Sequence, residues 1–133
     1  MNVRFAASFS PIVRDVAATR ALYRDTLGVT FEGEAGDYAF TEELEGVKHL
    51  GLWPLTEAAQ SCYGTPEWPA DVPVPQASIE FEVDDVPAAA AELQAAGYPL
   101  IHDTRTEPWG QVIARVLDPN GLIVGVCVTS HLR

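Results

Sequence analysis

Displaced by 70 positions, this sequence falls on itself, so that Ser8-Phe9-Ser10-Pro11-Ile12-Val13-Arg14-Asp15-Val16 overlies Ser78-Ile79-Glu80-Phe81-Glu82-Val83-Asp84-Asp85-Val86. The register continues with Ala18 on Ala88 and Ala21 on Ala91, and each segment closes on a glycine, Gly28 or Gly97. A duplication of this kind restricts the chain to folds made of two like units that pack on each other.

Each copy opens with an apolar-alternating stretch that ends at an aspartate able to cap a helix, Asp15 before VAATRALYRDTL and Asp85 before VPAAAAELQAA. Pro87 suits a first helical turn, and Gly28 and Gly97 suit a left-handed helix stop. Short strand-like runs follow: VTFEGE, DYAFTEE and VKHLGLW in the first copy, PLIHDTR, QVIARVL and LIVGVCV in the second. Each copy therefore reads β-α-β-β-β. Asp118-Pro119-Asn120-Gly121 predicts a hairpin between the last two strands, and Gly33 to Gly36 predicts its counterpart. Between the copies, TPEWPADVPVPQ (65–76) is too rich in proline for a helix or central strand and reads as a linker. The expected architecture is one α+β domain over residues 1–133, with modules at about 3–64 and 77–130 joined in a curled mixed sheet.

Composition narrows the function. The chain of 133 residues is 47% hydrophobic and 20% charged, a globular balance, and no apolar run approaches the roughly 20 residues of a membrane helix. Asp15 comes too early for a secretory signal, so a cytoplasmic location is expected. Cys62 and Cys127 lack metal-site spacing and read as two reduced thiols. A formal charge of −11 disfavours nucleic acid and anionic membranes as partners and favours a cationic ligand.

Period-two alternation sorts the strand residues by face. Phe9, Pro11 and Val13, like Ile79, Phe81 and Val83, should cover the helices. Ser8, Ser10 and Ile12, like Ser78, Glu80 and Glu82, should face the other way. Leu50 and Leu52 point inward, so His49, Gly51 and Trp53 share the open face with Ile123, Gly125 and Cys127. Glycines there suggest close approach by another group, and Trp53 is costly to leave in water. A concave binding site is expected.

VRDVAATRALYRDTLG, FEVDDVPAAAAEL, EPWGQ and DPNG, in this order, resemble the vicinal-oxygen-chelate superfamily of glyoxalase I, extradiol dioxygenases and bleomycin-resistance proteins. The resemblance implies a dimer of paired βαβββ modules, with a divalent metal held by His, Glu or Gln on the open face. At the matching positions this chain has Ser8, Ser78 and Gly125, with His49 the one plausible donor on the fourth strand. Serine is a poor ligand for such metals and glycine has no side chain to donate. No metal and no cofactor is therefore expected, and His102 and His131 stand outside any constellation.

The resemblance is strongest to the metal-free resistance proteins, which sequester a small-molecule antibiotic without altering it in grooves at a homodimer interface. The expected ligand contacts are Tyr38, Phe40, His49, Gly51, Trp53, Ser78, Glu80, Trp109 and Arg115, with Trp68 a further candidate for stacking. Glu80, Glu82 and the acidic stretch of Glu32, Glu34, Asp37, Glu42 and Glu43 would attract a cationic drug. The rival expectation is an enzyme of glyoxalase or dioxygenase type with atypical ligands, or a cofactor-free one using Glu80 as base.

Overall fold

The computed structural model describes residues 1–33 and 38–133. Seven strands form one curled mixed sheet: β1 (Phe5–Val13), β2 (Ala39–Thr41), β3 (Leu50–Pro54), β4 (Ala77–Glu82), β5 (Leu100–Thr106), β6 (Val112–Leu117) and β7 (Ile123–Val128). Their spatial order is β2-β3-β1-β4-β7-β6-β5. Helices α1 (Val16–Arg20), α2 (Leu55–Tyr63) and α3 (Val86–Ala95) complete the α+β fold. A π-helical segment (Ala21–Thr26) extends α1, and a 3-10 turn (Ser130–Leu132) ends the chain.

The duplication becomes a local two-fold axis. The repeats meet along the antiparallel pair β1 and β4, where Phe9 faces Ile79, its own duplicate, while Ser8 faces Glu80 and Ser10 faces Ser78. Outside them, β3 runs parallel to β1 with Leu50 beside Phe9, and β7 runs parallel to β4 with Val124 beside Ile79. Gly51 in β3 is thus the counterpart of Gly125 in β7, and His49 the counterpart of Ile123.

Local chemistry builds both copies as expected. The Asp15 carboxylate accepts from the Ala18 amide and the Asp85 carboxylate from the Ala88 amide, each at 3.0 Å, filling an otherwise unpaired donor at each helix start. Val86, Ala89 and Ala90 of α3 pack on Val83, Ala114 and Val126, while Val16 and Tyr23 cover Val13, Phe31, Ala39 and Leu52. Both helices lie on one side of the sheet, and the opposite face stays concave. Asp118 accepts from the Asn120 and Leu122 amides, turning β6 into β7 as expected.

The first copy departs from the second in two ways. Over its described residues, 29–33, the run VTFEGE forms no strand, only a single bridge between Glu32 and Phe40. Gly33 follows at φ +76°, outside extended conformation. Of the expected turn over Gly33 to Gly36, residues 34–36 lie outside the described residues. The second departure is α2, which the strand-and-linker reading did not include although Leu55, Ala58, Ala59 and Cys62 recur at helical spacing. It ends at left-handed Gly64 and buries only the small residues Ala58, Ala59 and Cys62, against Trp53 and Ile123. Residues 65–76 carry no helix or strand. Among the described residues no helix is long and apolar enough to cross a membrane.

Candidate functional site

Strand parity places Ser8 and Ser10 of β1 and Ser78 and Glu80 of β4 on the concave face, where they line a cavity of about 570 Å³. The first copy adds Tyr38, Phe40, His49 and Trp53, and the second adds Trp109 and Arg115. Eight of the nine expected ligand contacts meet here. Gly51 is the exception, since a Cβ on it would collide with the Tyr38 hydroxyl and come within 2.9 Å of Ser10 Oγ. At its counterpart Gly125, a Cβ would lie 2.8 Å from Ile113 Cδ1 and 3.2 Å from Glu80 Cγ. Both glycines admit the protein's own side chains, not a ligand as their place on the open face suggested.

The same register tests whether the residues suit the superfamily's metal. The four related positions are Ser8, Ser78, Gly51 and Gly125; they offer two neutral hydroxyls and no imidazole or carboxylate. His49 stands two places before Gly51 and is engaged elsewhere. Such a donor set does not fit a divalent transition metal. Among the described residues, no three His, Cys, Asp or Glu side chains are grouped to hold a metal ion.

One wall of the cavity is a hydrogen-bonded chain. His49 Nδ1 lies 2.6 Å from Glu42 Oε2, and His49 Nε2 lies 2.5 Å from the Tyr38 hydroxyl. An ionised Glu42 only accepts, so Nδ1–H donates to it and Nε2 accepts the phenol proton. The rings of Phe40 and His49 stack with centroids 5.1 Å apart, and Tyr38 stacks on Phe40 at 5.9 Å. Burial, reinforced by the nearby Glu80 carboxylate, pushes the Tyr38 phenol well above its ordinary range. For Glu42, burial works upward, but hydrogen bonds from His49 and His131 outweigh it and hold the carboxyl below its ordinary value.

The opposite wall is a buried ionic network. Glu80 Oε1 accepts from Ser8 Oγ at 3.1 Å and from Gln111 Nε2 at 2.9 Å. Arg115, 1% exposed, lies 3.7 Å from Glu80 Oε2 and donates to Glu107 at 3.2 Å. Its guanidinium sits 5.4 Å over the Trp53 ring, and its Nε has no hydrogen-bond partner among the described residues. Trp53 is 8% exposed and packs on Ala58, Cys62 and Ile123, whereas Trp109 is 59% exposed with its indole N–H on Gln111.

Several expectations need correction. Glu82 turns away from the cavity: fully buried, it accepts from the Thr129 amide and from Arg133 Nε at 2.8 Å. Trp68 lies off the cavity, edge-on to Tyr63 with its N–H on the Val72 carbonyl. Glu32 and Glu42 line the cavity, but Glu43 does not; Glu34 and Asp37 lie outside the described residues. His131 belongs to the site after all, because the final 3-10 turn carries its Nε2 to 3.0 Å from Glu42 Oε2. His102 bonds Arg115 at 3.1 Å, and burial pushes its imidazole below the ordinary value. Glu80 is hydrogen-bonded through Oε1, with Oε2 beside Arg115. Sequence reasoning passed over Gln111, Glu57 and Thr129, all at the cavity wall; only the EPWGQ motif hinted at the first. Cys62 and Cys127 are free and buried, and burial raises the Cys62 thiol to about 11.

Comparison with known proteins follows the same lines. Residues 7–130 match the family model of a glyoxalase-like domain. No curated protein matches the chain. Among solved structures, it is similar to a glyoxalase/bleomycin resistance protein/dioxygenase superfamily member from Vibrio splendidus 12B01, at 15% identity, covering 92% of this chain and 97% of that one with a TM-score of 0.57. It is also similar to an NAD-dependent benzaldehyde dehydrogenase from Legionella pneumophila, at 15% identity with 92% and 98% coverage and a TM-score of 0.63. Methylmalonyl-CoA epimerase from Streptomyces coelicolor aligns at 17% identity with 99% of both chains covered and a TM-score of 0.58. At these identities the likeness establishes the fold, and function has to be argued from the site.

Proposed function

The chain belongs to the glyoxalase-like domain family of the vicinal-oxygen-chelate superfamily, and from that premise we propose that it binds and sequesters a planar, cationic natural-product antibiotic without using a metal. The observation that carries this reading is the cavity itself. Where the superfamily places metal donors stand two serines and two glycines, while the walls carry Tyr38, Phe40, Trp53 and Trp109. Aromatic faces suit a flat ligand, each contact adding roughly 0.5 to 1.5 kcal/mol beyond area burial. Glu32, Glu42 and Glu57 line the same space and favour a positive charge. Glu80 contributes less to that preference than its sequence position suggests, because Arg115 and Gln111 already compensate it.

Tryptophan fluorescence tests the charge preference. The cationic dye proflavine should quench with saturation, and the anionic dye anilinonaphthalene sulfonate should bind more weakly. The reverse order would contradict the reading. The proposal includes a homodimer, since β5 is an edge strand of the sheet and pairing protects such edges. Light scattering should then give about twice the chain mass of 14.4 kDa; a monomer at micromolar concentration would remove this part.

A further inference from the structure

We propose that the Glu42–His49–Tyr38 chain is a metal-free proton relay, through which the cavity removes a proton from a carbon acid held against the Tyr38 hydroxyl. The inference rests on the cavity being the ligand site, but not on the ligand being left unaltered.

Three observations carry it. The chain is continuous and tightly spaced, at 2.6 Å from Glu42 to His49 and 2.5 Å from His49 to Tyr38, and all three residues line the cavity. It has the logic of a nucleophile or base backed by an imidazole that a carboxylate orients, with a phenol at the reacting end. Second, the relay is confined to one half of a duplicated sheet, because the counterpart of His49 is Ile123. A residue pattern serving only the fold would have no need of that asymmetry. Third, Gly51 opens the space that the Tyr38 hydroxyl occupies, beside Ser10, whose side chain hydrogen-bonds the phenol.

The physical chemistry gives the order of events. Burial and the surrounding carboxylates disfavour a standing phenolate at Tyr38, so the phenol proton must leave as the new one arrives. The substrate C–H bond breaks and its proton passes to Tyr38 Oη. The phenol O–H proton passes to His49 Nε2, and the electron pair of the C–H bond stays with the substrate. Glu42 balances the imidazolium until it returns its proton to solvent. His49 and Glu42 act through Tyr38 and are positioning residues in this scheme. The charged or titratable groups around the chain are His131 on Glu42, and Glu57 and Glu80 near Tyr38.

The test uses 5-nitrobenzisoxazole, a flat carbon acid. Loss of the single C–H proton of its isoxazole ring breaks the N–O bond and leaves a coloured cyanophenolate, with no oxidant or second reactant. The intact protein should accelerate this elimination, proflavine should inhibit it, and Tyr38→Phe, which keeps the ring, should lower the protein-dependent rate about 100-fold, within the usual range for a positioned base. His49→Gln should lower kcat for the elimination and leave KM nearly unchanged, a split that a purely structural role for His49 would not produce. Proflavine titration of the same samples separates this idea from the binding proposal. Saturable proflavine binding without acceleration, or acceleration unchanged in Tyr38→Phe, overturns the relay alone. Acceleration lost in Tyr38→Phe without proflavine binding supports the relay and overturns the ligand class; absence of both overturns both.

Discussion

The guanidinium of Arg115 lies 5.4 Å over the ring of Trp53, joining the two halves of the duplicated chain across the cavity floor. The cation comes from β6 and the ring from β3. Arg115 also sits between two carboxylates, Glu80 and Glu107; Glu107 keeps Arg105 at 2.7 Å, but removing Arg115 takes the guanidinium away from the largely buried Glu80. Arg115→Met should therefore cost about 3 to 5 kcal/mol of stability, measured by chemical denaturation. A loss below about 1 kcal/mol would show that the network does not hold the floor together.

Trp53 should behave as a core residue that also touches ligand. Packed on Ala58, Cys62 and Ile123, it leaves a large void when truncated. Trp53→Ala is expected to lose about 3 to 5 kcal/mol, with a lowered melting temperature by circular dichroism. A variant as stable as the wild type would place the ring outside the core.

Much of this architecture was legible before any coordinates. The displacement that overlays Phe9 on Ile79 became the strand pair in which they face each other, and the capping aspartates stand at the two expected helix starts. Strand parity correctly placed Ser8, Ser10, Ser78 and Glu80 together, because alternation is a local property. What escaped was non-local or weakly patterned. Glu42 and His131 are 89 positions apart, and only the final turn of the chain joins them. Helix α2 was missed although Leu55, Ala58, Ala59 and Cys62 fall at helical spacing, because the stretch is only 9 residues long and its buried side chains are small. The role of Gly51 was misread because period-two alternation shows an open face without showing that Tyr38 fills it.

Stability should fall on acidification in two steps. His102 is depressed below its ordinary value of 6.5, chiefly by burial. The unfolded chain then takes up the proton first, so this contribution is complete above about 6.5 and declines below it. Glu42 is held below its ordinary value of 4.5, so its contribution is complete above about 4.5 and declines as the pH falls through the folded value. Denaturation midpoints followed from pH 8 to 3 should show both, with His102→Gln flattening the first and Glu42→Gln the second. Unchanged profiles in both variants would refute the assignment.

The donor set predicts metal content directly. With Ser8, Ser78, Gly51 and Gly125 at the four related positions, natively purified protein should contain well under one equivalent of zinc, nickel, manganese or iron per chain by elemental analysis. A full equivalent, lost on His49→Gln, would mean that His49 and nearby carboxylates form a site of their own.

The central claim is that the cavity holds a flat cation against its aromatic walls, and calorimetric titration of proflavine into the wild type and Trp109→Ala tests it most directly. Trp109 is 59% exposed, so its loss should leave the melting temperature nearly unchanged. The account predicts one site per chain in the wild type, with affinity about 10-fold weaker in the variant, a hot-spot cost of roughly 1 to 3 kcal/mol. Raising the salt concentration should weaken both, because it screens the acidic walls. Equal affinity in the two proteins, or binding indifferent to salt, would contradict the account.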